Sequence, residues 1–450
     1  MYIGFDYGTA NCAVAIMEKQ TPRLLNLEGQ QPYISSTICA PTREAISEAL
    51  FRHHGLTPDN EVAKQLLRSS IQFNKDEGIE VNTDDILFGQ AALDHYLRDP
   101  EESYFVKSPK SFLGTSGLHE RQVCFFEDLV CAMMLNIKQQ AERQLQTTIS
   151  DTVIGRPINF QGVDGEKANQ QAIQILQRAA QRAGFNNISF QYEPVAAGIE
   201  YESTLQINQN VLVVDIGGGT TDCSMLRMGP QHRNASSREQ DLLAHSGCRV
   251  GGNDLDIGIA FQQIMPEFGK NSLTTTGLSM PVCQFWDPIA INNVVAQADF
   301  YAYKNHKALT ELHRNARVPQ QLQRLLNVYQ ARLGHQLVRH AELLKIALSN
   351  QEQASTQIML LEEQLEIACD KETFSRAIAA NAEKISQLID DAVNQAGTKP
   401  DSIFITGGSA RSPILRQLIE SRLPGIELIG GDYFGSVTAG LARCAQQRYG

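Results

Sequence analysis

Asp215-Ile216-Gly217-Gly218-Gly219-Thr220-Thr221-Asp222 sets two carboxylates around a glycine-rich turn. The apolar run Val211-Leu212-Val213-Val214 precedes it and Cys223-Ser224-Met225-Leu226 follows, so it reads as a link between two strands. Glycines at such a turn bring backbone N–H groups close enough to cradle an anion. The carboxylates at either end would repel a bare phosphate. They suit a hydrated divalent cation standing between them and the phosphates. Mg²⁺–nucleotide binding is the chemistry this predicts; an ordinary glycine-rich hairpin is the alternative for the segment taken alone.

The pattern recurs near the start. Ile3-Gly4-Phe5-Asp6-Tyr7-Gly8-Thr9-Ala10-Asn11-Cys12-Ala13-Val14 is again strand, Asp, Gly-Thr turn, Cys, strand. Asp151-Thr152-Val153-Ile154-Gly155 resembles Asp401-Ser402-Ile403-Phe404-Ile405-Thr406-Gly407-Gly408. Glu193-Pro194-Val195-Ala196-Ala197-Gly198 resembles Gly435-Ser436-Val437-Thr438-Ala439-Gly440. Three similarities in one common order predict a duplicated chain, each half bringing one phosphate-type turn to a shared cleft.

The elements that must carry these turns alternate. Leu129–Leu145 has helical spacing and leads into the strand at Val153; Ala168–Ala183 is a second amphipathic helix ending near Gly184. Such alternation predicts layered α/β architecture. Residues 40–105 are polar and irregular and read as an insertion. A second insertion spans about 265–345 by composition. Within it, Leu322, Leu325, Leu326, Tyr329 and Leu333 predict one long helix packed on its own subdomain. Glu193 is expected just ahead of a helix over Val195–Tyr201.

At 450 residues the chain exceeds one hydrophobic core, so two or more domains are expected. A formal charge of −11, from 39 basic and 50 acidic residues, disfavours nucleic acid and anionic membrane as partners. No apolar run approaches membrane-span length. Nine scattered cysteines without a Cys-x-x-Cys, and no leader-like start, predict reduced thiols in the cytoplasm. Cys12 and Cys223 flank the turns and read as small core residues rather than redox groups. The P-loop pattern, the dinucleotide fingerprint and the Gly-x-Ser-x-Gly elbow are all missing. His53-His54, the one histidine pair, reads as solvent-facing rather than as a zinc site.

Together with Val250-Gly251-Gly252-Asn253-Asp254-Leu255-Asp256 and Ile405-Thr406-Gly407-Gly408-Ser409-Ala410-Arg411, these motifs resemble the ATPase domain of the DnaK-like seventy-kilodalton heat-shock chaperones, in the actin-like ATPase superfamily. YegD-type bacterial homologues look closest. The resemblance covers nearly the whole chain. It implies an α/β, duplicated actin-like (ribonuclease-H-like) fold, with two lobes, each bearing an inserted subdomain, around a central nucleotide cleft. Lobe I would be 1–205 with its insertion at about 40–105. Lobe II would be 206–450 with its insertion at about 255–365, and a C-terminal helix at about 435–448 would return to lobe I.

The resemblance also implies roles. Asp6, Gly8, Thr9 and Ala10 form the first phosphate loop; Asp215, Gly217, Gly218, Gly219, Thr220 and Asp222 form the second. Asp6, Asp215 and Asp222 would hold Mg²⁺ largely through water. Lys110, in Lys110-Ser111-Phe112-Leu113-Gly114, matches the catalytic lysine, with Lys107 as the alternative. Glu193 touches the metal-water shell, and Lys110, Glu193, Thr220 and Asp215 are the catalytic set. Gly251, Gly252, Glu342, Lys345 and Ser349, then Gly407, Gly408, Ser409 and Arg411, match nucleotide-binding segments. ATP and ADP are the implied ligands and an unidentified client or partner protein the implied output, with a monomer expected.

Departures accompany the likeness. Ala10 replaces a threonine, Ile346 stands where an arginine usually stacks on adenine, and Asp432 is offset from the usual acidic contact. The chain ends at Gly450 without counterparts of the family's linker and peptide-binding domain, so peptide holding by this chain alone is not expected. A sugar-type kinase and an actin-like filament protein are the competing readings. An acceptor-free ATPase assay, a sugar panel and ATP-dependent sedimentation separate the three.

Overall fold

A computed structural model describes the backbone of the chain except residues 161–164, 234–238, 361–362 and 432–434, and no side chain at 239 or 294. The chain opens with β1 (Tyr2–Tyr7), β2 (Asn11–Glu18), β3 (Thr21–Leu24) and β4 (Tyr33–Ser35). Then come β5 (Thr37–Ala40), α1 (Arg43–His54), α2 (Glu61–Asp76), β6 (Leu87–Phe88), α3 (Gly89–Arg98) and β7 (Tyr104–Lys107). The long α4 (Glu120–Leu145) leads to β8 (Asp151–Arg156), α5 (Glu166–Arg182), β9 (Asn187–Tyr192) and α6 (Glu193–Glu202). Next are β10 (Gln209–Ile216), β11 (Thr221–Met228), β12 (Leu242–Cys248) and α7 (Gly252–Ile259). After these stand α8 (Cys283–Trp286), α9 (Val294–Phe300), α10 (Tyr303–Arg314), α11 (Pro319–Gln330), α12 (Gly334–Leu348), β13 (Gln353–Met359) and β14 (Gln364–Asp370). The chain finishes with α13 (Lys371–Ala396), β15 (Ser402–Thr406), α14 (Pro413–Arg422), β16 (Glu427–Gly430) and α15 (Gly435–Tyr449).

Two compact units result. One comprises 1–249, 385–410 and 420–450; the other comprises 250–384 and 411–419.

The first unit holds two sheets of the same design. One runs β3-β2-β1-β8-β9, the other β12-β11-β10-β15-β16. In each, the central strand pairs antiparallel with the next strand in sequence and parallel with the strand that follows its crossover. The three sequence similarities fall at equivalent places: the β1–β2 and β10–β11 turns, strands β8 and β15, and helices α6 and α15. The last likeness has a packing cause. A Cβ at Gly440 would stand 1.8 Å from the Ala196 carbonyl oxygen, and one at Gly198 2.2 Å from the Met228 methyl. Only small residues let α6 and α15 approach each other and the second sheet. Val153, Val213, Phe404, Ala196 and Leu441, drawn from both sheets and both helices, share one buried cluster. A second cluster joins Phe5, Tyr7 and Val14 to Met133, Met134 and Ile175 of α4 and α5.

Three expectations are corrected. Residues 40–105 are not irregular: α3 packs on a three-stranded sheet of order β6-β5-β7, and α1 and α2 pack on each other and on α4. Its elements are short and many of its residues half-exposed, which made it read as polar loop. Glu193 does not precede its helix but opens it, because Pro194 suits the first turn. The single long helix of the second insertion is two, α11 and α12. The chain breaks at Ala331–Leu333, where Arg332 has φ +51°, and a Cβ on Gly334 would stand 2.0 Å from the Pro288 carbonyl oxygen.

The second unit buries Leu255, Phe268, Phe285, Leu322, Leu325, Leu337 and Leu344. Among the described residues no helix is long and apolar enough to cross a membrane. Cys12 and Cys223 are fully buried, and burial, first among several causes, pushes the Cys12 thiol up to about 12. Both behave as core residues.

Candidate nucleotide-phosphate site

The site is built by two hairpins. In the second, Asp215 faces Asp222 across the ladder and the Gly217 N–H donates to the Thr220 carbonyl at 2.9 Å. The first turn, Gly8–Ala10, meets the second directly: a Cβ on Gly218 would lie 2.6 Å from the Ala10 Cβ and 3.0 Å from its nitrogen. Ala10, a departure from the resembling family, is therefore the side chain against which the second turn closes. Gly407 completes the cradle. Its φ is +85°, and a Cβ there would stand 2.3 Å from the Ile216 carbonyl oxygen and 2.6 Å from Asp215 Oδ1. Gly408 opens the short turn Gly408–Arg411, and the Ser409 hydroxyl donates to the Gly217 carbonyl at 3.4 Å.

The acidic groups converge. Asp215 is 6 % and Asp222 2 % exposed, and Asp6 is partly open. The Asp222 carboxylate accepts from the Ile158 N–H at 2.9 Å and from the Thr220 hydroxyl. A Cβ at Gly247 would stand 2.5 Å from its Oδ1. Thr9 and Gly219 lie in the two turns.

Lys110 is brought to this cluster. Ser108, at φ +59°, turns the chain after β7, and the turn Pro109–Phe112 buries Lys110 to 4 % exposure. Its ammonium donates to Glu193 Oε1 at 2.5 Å. Burial opposes that charge, but Glu193 and Asp6 outweigh it and hold the ammonium above its usual range. Glu193 has room because Gly155 carries no side chain: a Cβ there would be 3.2 Å from Glu193 Cγ. Lys107 instead ends β7, opposite Thr37.

Electrostatically the carboxylates of the cluster outnumber its cations. Burial, then Glu193, pushes Asp6 and Asp222 up to about 7. Asp215 is also pushed well above the usual carboxylate range, by burial first and then by Glu193, Asp222 and Asp6. The Thr406 hydroxyl, in register with Asp215, is buried without a hydrogen-bond partner among the described residues. An all-oxygen set of repelling carboxylates fits a hard cation such as Mg²⁺. Among the described residues no three His, Cys, Asp or Glu side chains are placed to hold a metal ion together.

A pH dependence follows. Asp6 and Asp222 ionise in the unfolded chain near 4 but at about 7 in the fold, and Asp215 is shifted in the same direction. Their contribution to stability is therefore complete below about pH 4 and is lost as pH rises through about 7. Without divalent cations the melting temperature is expected to be lower at pH 8 than at pH 6, and Mg²⁺ to restore more of it at pH 8. Equal Mg²⁺ effects at the two values would show that the carboxylates do not share one pocket.

The remaining predicted residues lie in the second unit. Gly251 caps α7, and its N–H donates to Asp254 Oδ2 at 2.9 Å. Lys345 on α12 pairs with Asp256 at 2.8 Å and donates to the Gly252 carbonyl at 3.3 Å, tying α12 to that helix start. Glu342 pairs with Arg339 at 2.9 Å, and the Ser349 hydroxyl donates back to the Lys345 carbonyl. Ile346 is 52 % exposed. Arg411 closes the turn after Gly408. Asp432 lies outside the described residues.

One residue escaped sequence reasoning. Arg156, at the end of β8, stacks 4.8 Å from the Tyr192 ring centre, and its Nε donates to the Pro157 carbonyl at 3.2 Å. The available signal was an arginine closing an otherwise apolar strand directly before Pro157.

Comparison with known proteins finds similarity to chaperones. Residues 114–274, which contain Glu193, both aspartates of the second turn, Gly251 and Gly252, match the family model described as Hsp70 protein. The chain is 24 % identical to the chaperone protein dnaK of Emiliania huxleyi, over 94 % of this chain and 56 % of that protein. It is 29 % identical to the chaperone protein HscA homolog of Acinetobacter baumannii, over 38 % of this chain and 29 % of that one. With the mitochondrial heat shock protein SSC3 of Saccharomyces cerevisiae it shares 28 % identity, over 60 % of this chain and 37 % of the relative. The chain thus spans little more than half the length of the dnaK relative and less than half of the other two. The similarity is to Hsp70-type chaperones, and the mixed α/β architecture is consistent with an actin-like fold.

Proposed function

We propose that these 450 residues form an ATP-binding, slowly hydrolysing nucleotide switch, the nucleotide-handling part of an Hsp70-type chaperone system. The observation that carries this is the meeting of two like turns, Ala10 against Gly218, beside three carboxylates and a buried lysine. The YegD-type likeness and the division into lobes 1–205 and 206–450 belong to the same proposal and rest on the motifs. A cytoplasmic, monomeric protein acting on a client through a partner is proposed with it.

When bound, hydrated Mg²⁺ would neutralise charge on the β- and γ-phosphates. The backbone of Gly8–Ala10 and Gly217–Gly219 would grip those phosphates. Lys110, released in part from Glu193, would stabilise charge developing on the γ-phosphate, while Thr220 and Glu193 would orient the attacking water. Gly407, Gly408 and Ser409 are proposed as further nucleotide contacts, and the nucleotide-binding role proposed for Gly251, Gly252, Glu342, Lys345, Ser349 and Arg411 rests on the motifs alone. The exposed Ile346 supplies no cation for the adenine face, so modest affinity is expected.

MgATP or MgADP at about a hundred times its dissociation constant should stabilise the protein by about 2.7 kcal/mol, read as a raised melting temperature. Removal of Mg²⁺ with a chelator should abolish most of the shift. Absence of any shift with millimolar ATP, ADP or GTP would remove the proposal.

A further inference from the structure

Arg156 belongs to no motif used so far, yet it is built into the phosphate site. Its guanidinium is held from several sides: the Tyr192 ring at 4.8 Å, the Pro157 carbonyl at 3.2 Å and the Ile158 carbonyl at 3.4 Å. Two of these neighbours carry the site's acids. Tyr192 is the cap residue of α6, whose first residue is Glu193. Ile158 donates its N–H to Asp222 at 2.9 Å. Glu193 follows the first sheet and Asp222 begins a strand of the second, so one side chain braces an acid from each. Burial lowers the pKa of Arg156, while Tyr192, Glu193 and Asp222 act in the opposite sense, placing both acids within its electrostatic reach. Lys110 is already committed to Glu193.

We infer that Arg156 is a positioning residue of this site, a second cation that holds the Glu193 helix start and the Asp222 seat in mutual register and shares their negative charge. An exposed arginine at a strand end would do neither. A planar, stacked guanidinium is hard to replace, because lysine keeps the charge but not the fork.

The consequences are separable. With R156Q, the nucleotide-free site loses a positive charge facing its carboxylates. Mn²⁺ binding to the full chain, followed by electron paramagnetic resonance, should therefore tighten by about threefold or more. R156K should keep the wild-type Mn²⁺ affinity. In both variants single-turnover ATP hydrolysis should fall by about tenfold or more, because the acids lose register. MgADP affinity should change by less than about threefold. Added guanidinium ion should rescue part of the R156Q rate and none of a Lys110→Ala rate.

Unchanged or weaker Mn²⁺ binding in R156Q overturns the inference, as does wild-type hydrolysis in that variant. Should R156Q fail to fold, R156K carries the test: wild-type Mn²⁺ affinity with slowed hydrolysis supports the inference, and a wild-type rate overturns it. The hydrolysis arm rests on the proposed function. If the wild-type chain hydrolyses no nucleotide, that reading fails, and the Mn²⁺ comparison alone decides for Arg156.

Discussion

Lys110→Ala is expected to slow ATP turnover by about 10²- to 10³-fold while changing nucleotide affinity far less. Among the described residues the buried Lys110 ammonium is the lysine joined to Glu193 in the carboxylate cluster, at 2.5 Å. Its proposed contribution grows as charge builds on the transferred phosphoryl group, so the loss should appear in the chemical step. The same change leaves the Glu193 side chain, 13 % exposed, without its partner. Breaking such a pair typically costs about 3–5 kcal/mol, so the variant should also melt earlier. Turnover and stability can be told apart with Glu193→Gln. Added to Lys110→Ala, it removes the unpaired charge and should recover much of the stability without recovering hydrolysis. Lys107→Ala is the control and should hydrolyse near the wild-type rate. Should Lys107→Ala stop turnover while Lys110→Ala does not, the lysine of the reaction is the one ending β7.

Gly218→Val should lower MgADP and MgATP affinity by about a hundredfold or more, equivalent to about 2.7 kcal/mol. The first added carbon would already stand 2.6 Å from the Ala10 Cβ, well inside contact distance. The branched side chain then forces the two turns apart or fills the cradle they form. Because the strain sits in a partly exposed turn, the cost to folding should stay near 1–3 kcal/mol. Isothermal titration with MgADP checks it, with Gly218→Ala expected to fall between valine and wild type. Wild-type affinity in the valine variant would mean that the meeting of the two turns is not the phosphate seat.

Local chemistry made the two hairpins, the strand–helix alternation and the repeated order legible in the sequence. An apolar run ended by Asp and Gly has few conformations open to it, and the Glu193–Gly198 and Gly435–Gly440 likeness encodes small residues that tight helix packing requires. Buried thiols at Cys12 and Cys223 were legible for the same reason: they alternate within apolar strands. Tertiary structure alone decided what depends on distant partners. Lys107 and Lys110 differ by three positions, and only the left-handed turn at Ser108, closed against Ser36, aims Lys110 toward Glu193. Residues 40–105 read as loop because β5 gains its pairing from β7, far along the chain, and not from its own pattern. The break at Arg332 leaves a hydrophobic spacing that looks continuous, since Leu322–Leu333 satisfies a helix whether or not it bends. Arg156 was invisible for the most general reason. A charged residue at a strand end is ordinarily solvated, and its burial beside Tyr192 and near Asp222 exists only once two sheets of one sequence have been folded against each other.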